Sequence, residues 1–240
     1  MGITNATTRG VVAALVAVSL ALPTAALADD GSMSANSGGG ATYYETSETD
    51  SGQIALAVRR GTWLGRTVRI SGTAEELAGE TLSIERKRSR RGAWSPLGSV
   101  EVGDDGSFAL RWKPGSTGTH RLRAIDTSPR PAGTAASTSA SSVKRLTVYE
   151  RVTATWYGPG FYGNRTACGQ RLTRRTLGVA HKTLPCGTRV ALRHEGRSIV
   201  VPVIDRGPYA RGISYDLTSA TARRLGAMFT SPIGAAIVSR

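Results

Sequence analysis

The sequence predicts an all-β chain: a β-sandwich followed by a small closed barrel that carries one short helix. Three observations predict it. Glycine (29) and proline (10) together make up about a sixth of the 240 residues, which favours short strands and turns over a helical bundle. Apolar residues alternate with polar ones in a series of short segments separated by turn residues. Only one stretch, near the C-terminus, has both a helix start and a helix stop signal. With 40% hydrophobic and 20% charged residues the chain can build cores, and at about 150 residues per domain its length suits one or two. Two cysteines exclude a disulfide-framework mini-protein and a four-cysteine zinc site.

The chain begins with an address. Arg9 is the only charge before Asp29, the run from Val11 to Leu22 is apolar, and Ala26-Leu27-Ala28 supplies small residues two apart. That order is a secretory signal peptide over residues 1–28; the alternative is an uncleaved anchor, for which the run is short. The mature protein is then expected outside the cytoplasm, secreted or wall-associated, with no membrane span. Residues 29–52 are acidic and rich in Gly, Ser and Thr, and read as a flexible linker.

Residues 53–150 are expected to form the sandwich. Strands are read at Thr67–Ser71, Thr81–Arg86, Ser107–Trp112, His120–Ala124 and Val143–Val148, with turns at Ala78-Gly79, Gly103-Asp104-Asp105-Gly106 and Pro114-Gly115. The arrangement resembles bacterial immunoglobulin-like modules and lacks the Cys…Trp…Cys set of antibody domains. Residues 127–142 are low-complexity and are read as a long loop before the last strand. The basic run from Arg86 to Arg91 falls at a hairpin tip. A nucleic-acid patch would interleave aromatics there, so the run is read as a solvated turn and no nucleic acid is expected as a partner.

Charge separates the two parts. Residues 151–240 hold thirteen Arg and Lys182 against Glu195, Asp205 and Asp216, an excess of +11, whereas residues 29–150 carry only +2. For an exported protein such an excess points to wall polymers or carboxylate-bearing peptidoglycan. Within this segment Thr153–Tyr157 alternates and then turns. Gly187–Leu192 and Ser198–Ile204 read as a hairpin joined at His194-Glu195-Gly196. Pro202 removes a ladder donor, which calls for an edge, bulge or rim position. A helix is expected from Ser219 to Leu225, capped by Thr218 or Ser219 and stopped by Gly226, and a last strand at Ala235–Val238. Strands with one capped helix in about ninety residues fit a small closed barrel.

Five ordered strings then become recognisable: Ala154-Thr155-Trp156-Tyr157-Gly158, Thr166-Ala167-Cys168-Gly169, Ala180-His181-Lys182-Thr183-Leu184-Pro185 followed by Gly187-Thr188, Asp205-Arg206-Gly207-Pro208-Tyr209 and Asp216-Leu217-Thr218. Residues 152–239 closely resemble the rare lipoprotein A domain. That resemblance implies a six-stranded double-psi β-barrel related to expansins, and a lytic transglycosylase that cleaves the MurNAc–GlcNAc bond of peptidoglycan without water. It implies Asp205 as the acid/base and His181 in the cleft as the second catalytic residue. Tyr157, Gln170, Thr173, Tyr209 and Asp216 would lie along the glycan. From the residues alone, Asp205 is either a general acid at a barrel rim or an Asp bonded to its own turn, and Asp216 either contacts substrate or braces the helix start. Trp156 and Tyr157 must face opposite sides of their strand, and the resemblance favours Tyr157 for the cleft.

Two positions depart from the family. Where relatives carry Glu after the Thr-Ala-x-Gly string and Asp three residues later, this chain has Gln170 and Thr173. Glutamine can hydrogen-bond a sugar but cannot carry a proton at physiological pH. A non-catalytic, expansin-like wall binder is therefore the alternative function. Cys168 and Cys186, 18 apart in an exported domain, are expected to form a disulfide worth on the order of 3 kcal/mol. A metal site with His181 or His194 is the competing idea, and no close-spaced ligand pair supports it. No cofactor, metal or oligomer is expected; the expected partners are peptidoglycan glycan strands and anionic wall polymers.

Overall fold

The computed structural model describes residues 54–128 and 139–239. The leader at 1–28, the linker at 29–52 and most of the low-complexity stretch at 127–142 lie outside the described residues.

Two sheets make the first half. Strands β1 (Ala55–Ala57), β3 (Val68–Thr73) and β6 (Ser107–Trp112) form a three-stranded antiparallel sheet. Facing it are β5 (Ser95–Glu101), β4 (Thr81–Lys87), β7 (Gly118–Asp126) and the first half of β8 (Lys144–Tyr157), with β2 (Gly61–Trp63) parallel to β8. The alternation of β7 is strict, buried at every even residue from Gly118 to Asp126. Val68, Ile70, Leu82, Ile84, Leu122 and Leu146 meet from both sheets in one aliphatic core. β5 escaped the sequence reading because Pro96 and Gly98 break its pattern. Both are tolerated because β5 is an edge strand, paired only with β4.

The expected boundary at 150/151 falls inside β8, which runs unbroken from Lys144 to Tyr157. No Gly, Pro or Asn interrupts that segment, so nothing stops the strand. Its second half enters a closed ring with β9 (Val179–Ala180), β10 (Arg189–His194), β11 (Arg197–Asp205), β12 (Tyr215–Thr218) and β13 (Ser231–Ser239). The ring order is β12-β9-β11-β10-β13-β8, and the parallel β12–β8 pairing closes it, giving a six-stranded barrel with one α-helix. Val190, Leu192, Val201, Val203, Leu217, Leu225 and Ile233 fill its interior.

Local signals in this half act as expected. The β10–β11 turn uses Glu195 (φ 44°) and Gly196 (φ 82°), both left-handed, as a two-residue hairpin of type I′ requires. α1 (Ser219–Leu225) is capped by Thr218, whose hydroxyl accepts the Thr221 N–H, and ends at Gly226 (φ 77°). Pro202 lies opposite Arg189, one residue before β11 takes up β9 at Val203, so its missing donor falls where no partner strand has begun. A small apolar cluster of Tyr149, Ala191 and Ala236, with Trp63 and Val238 against it, bridges the end of the sandwich and the barrel wall. Gly234 lets the Trp63 ring approach, since a Cβ there would lie 2.9 Å from it.

Candidate functional site

Four strands bring the two barrel aspartates together. Asp205 on β11 aligns with Ala180 on β9, Ala180 with Asp216 on β12, and Asp216 with Thr155 on β8. The carboxylates thus flank one methyl group, and their backbones are about 10 Å apart at two strand spacings. Strict alternation would turn Asp205 inward with Val201 and Val203. The register shifts between Val203 and Asp205, and this irregular step re-aims the carboxylate out of the core. Thr155, Tyr157, Ala180, Asp205 and Asp216 all line one cavity of about 410 Å³.

Each acid has a distinct setting. Asp205 Oδ1 accepts the N–H of Ala167 (2.8 Å) and of Arg206 (2.9 Å), which fixes its orientation while it still lines the cavity. Asp216 is half-buried and accepts the Thr155 hydroxyl at 2.8 Å. Burial raises its pKa, the Thr155 bond opposes that rise, and the charge of Asp205 adds to it. Between them, burial and then the charges of Asp205 and Asp216 keep the Tyr157 phenol protonated. Its buried hydroxyl faces Asp205 as a side-chain hydrogen-bond partner of loose geometry, which adds to the effect of that charge. Trp156, one residue earlier, packs against the barrel core and donates its indole N–H to the Met228 carbonyl.

The rim is aromatic and basic. Phe161 (56% exposed) meets Tyr157 edge-on at 6.2 Å, and Tyr209 (84% exposed), just after Gly207-Pro208, lines the same cavity. Arg165 and Asn164 complete that side. Cys168 and Cys186 are joined by a disulfide with Cα atoms 5.7 Å apart, tying the loop that anchors Asp205 to the loop after His181. Arg206 braces the same loops, donating to the carbonyls of Leu184 (3.0 Å) and Asp205 (3.4 Å).

Three of the residues expected at the site are placed elsewhere. His181 is outside the cavity lining; its Nδ1 accepts the N–H groups of Thr183 (3.1 Å) and Leu184 (3.0 Å), and its ring packs on Tyr215. Burial first, then Arg206 and Lys182, lower its pKa, so it is neutral with the proton on Nε2. Gln170 is exposed and takes a hydrogen bond from Thr166 (3.1 Å). Thr173 is exposed and bonds Thr176 within its own turn. Asp216 does not cap the helix, because Thr218 does. Thr155 and Arg165 were missed. Thr155 was legible, since it shares a strand face with Tyr157; Arg165 carried no signal beyond being one of many arginines. Among the described residues, no three His, Cys, Asp or Glu side chains cluster as metal ligands, and no helix is long and apolar enough to cross a membrane.

Comparison with known proteins agrees with this barrel. Residues 149–238 match the family model described as lytic transglycolase. Two relatives named probable endolytic peptidoglycan transglycosylase RlpA are similar: one from Synechocystis, 44% identical over 37% of this chain and 27% of its own, and one from Aquifex aeolicus, 42% identical over 36% and 39%. An endolytic peptidoglycan transglycosylase RlpA from Campylobacter jejuni is 33% identical over 44% of this chain and 43% of its own. The chain thus spans well under half the length of these relatives, and the likeness lies largely in the C-terminal part. That part is an RlpA-like double-psi β-barrel domain.

Proposed function

We propose that this barrel is a peptidoglycan lytic transglycosylase domain working outside the cytoplasm, with Asp216 and Asp205 dividing the proton work. The observation that carries the reading is the pair of carboxylates flanking Ala180 in one cavity. Asp216, the carboxyl whose pKa burial raises, donates a proton to the glycosidic oxygen as the C1–O bond breaks. Asp205 takes the proton from the MurNAc 6-hydroxyl, whose oxygen closes on C1 to give the 1,6-anhydro ring. Water enters no step, and a proton passed from Asp205 back to Asp216 restores the site. Tyr157, Phe161 and Tyr209 offer faces for sugar rings. The relatives named endolytic peptidoglycan transglycosylase support the substrate class. Sequence reasoning assigned both proton steps to Asp205; the burial of Asp216 supports giving it the first of them.

One observation favours a second reading. Gln170, at the position where the resemblance implies a Glu, lies exposed and outside the cavity lining, which suits a domain that grips glycan without cutting it. Mass spectrometry of purified glycan strands separates the two. The expected result is anhydro-MurNAc ends from the wild type and far fewer in the same time from Asp205→Asn or Asp216→Asn, with circular dichroism unchanged. Absence of such ends from the wild type, with retained glycan binding, sinks the enzyme and leaves the binder.

A further inference from the structure

The outward face of the sheet β5-β4-β7-β8 carries a second constellation, separate from the cavity. Lys87 on β4 lies directly opposite Arg121 on β7, and Arg121 lies directly opposite Arg145 on β8. At about 4.8 Å per strand, three cations occupy roughly 10 Å of one face. Like charges set directly opposite each other destabilise a sheet. Among the described residues none of the three has an ion pair, and Glu85, two positions along β4, is committed to Arg123 at 2.7 Å. The Nε of Arg121 is buried and has no hydrogen-bond partner among the described residues, although the rest of the residue is half-exposed. Desolvation first, then the charges of Arg145 and Arg90, lower its pKa, so the neighbours are felt. A buried guanidinium N–H without a partner, set among like charges, is costly to keep unless an anion completes it.

The surroundings extend the positive field. Arg88, Arg90 and Arg91 continue it, exposed, past the end of β4. The acidic residues Glu75, Glu76, Glu80, Glu101, Asp104 and Asp105 gather at the opposite end, before β4 starts and where β5 finishes. The nearby aromatic rings are already engaged by cations. Lys87 lies 4.6 Å and Arg123 4.2 Å from the Trp94 ring, and Arg86 5.8 Å from the Trp112 ring. Among the described residues of this face, the Trp94 ring is thus taken by cations and not left open as a platform on which a nucleobase would stack.

We propose that this face binds a linear phosphodiester polymer without bases, with Arg121 gripping phosphate oxygens between Lys87 and Arg145. A guanidinium fork matches two oxygens of one phosphate, and a repeating phosphodiester supplies one charge for each cation of the row. The test measures binding of the full chain to synthetic poly(glycerol phosphate) over a range of salt. A single-stranded oligonucleotide with the same number of phosphates and a poly-glutamate of equal charge serve as competitors. Arg121→Gln and Arg145→Gln should each weaken binding about tenfold and make its salt dependence shallower by about one ion. Arg224→Gln, on the barrel helix, should leave it unchanged. Arg121→Gln should melt no lower than the wild type, because it removes a repulsion. Wild-type affinity in both row variants overturns the proposal, as does an oligonucleotide or poly-glutamate that binds as tightly as the polyol phosphate.

Discussion

The two halves of the molecule use the same strand grammar and place their carboxylates in opposite ways. The sandwich carries nine acidic residues between positions 54 and 150, most of them exposed at one end, with Glu85 paired to Arg123. The barrel has only three. Glu195 sits exposed on a hairpin tip, and the other two, Asp205 and Asp216, line a single cavity. Fourteen basic residues surround them in sequence, yet neither aspartate forms an ion pair among the described residues. Most carboxylates of the sandwich follow solvation, although Asp126 and Lys144 are buried there. The two cavity aspartates of the barrel are half-buried and unpaired instead, the setting that the proposed proton transfer would use.

The contrast can be broken or sharpened by experiment. The largest effect is expected on cleavage: Asp216→Asn should slow the formation of anhydro ends by about 10²- to 10⁴-fold, the usual share of one acid or base. Glu85→Gln in the sandwich should leave that rate unchanged, measured on the same glycan strands. Next, the double change Cys168→Ser with Cys186→Ser should cost the barrel on the order of 3 kcal/mol in urea unfolding. The described sandwich has no such link, so a sandwich-reporting probe such as Trp94 fluorescence should respond little. Gly234→Ala tests the junction, where a new methyl would press on Trp63; a loss of about 1–3 kcal/mol is expected by thermal melting. Thr218→Ala removes the cap of α1 and should cost about 1 kcal/mol in the same assay.

The smallest effect concerns pH. The folded pKa of Asp216 is raised, so its contribution to stability is fully present below the unfolded value of about 3.9 and is lost as pH rises through the folded pKa. Asp216→Asn should therefore melt slightly higher than the wild type near neutral pH, with the gap closing in acid. His120 in the sandwich works the other way. Burial lowers its pKa, its Nε2 bonds the Ser116 carbonyl at 3.1 Å, and its Nδ1 has no partner among the described residues. Its stability is present above the unfolded value of about 6.5 and is lost as pH falls below it. A melt followed from pH 8 to pH 5 should show the Trp112 environment, which contacts His120, weakening first.

Much of this was legible because it is local. The helix and both its caps follow from Thr218 and Gly226, the hairpin from Glu195-Gly196, and the opposite facing of Trp156 and Tyr157 from period two. The disulfide followed from two cysteines in a domain read as exported. What was not legible depends on neighbours distant in sequence. β9 is two residues long and has no pattern of its own. β5 hid behind Pro96 and Gly98. His181 sits within a recognisable string, but only the folded loop shows its Nδ1 taken by the amides of Thr183 and Leu184. Gln170 and Thr173 likewise occupy familiar positions and turn their side chains to their own turns.

By itself the sequence determined an all-β chain with a basic barrel, its helix, its hairpin and its pair of cysteines, because alternation, capping and turn chemistry act within a few residues. The meeting of Asp205 and Asp216 across Ala180 was decided by tertiary structure alone. It needs the parallel β12–β8 pairing that closes the ring, and the register shift that turns Asp205 away from the core its alternation would have assigned it. The row of Lys87, Arg121 and Arg145 belongs to the same class, since strand register between distant segments sets like charges face to face.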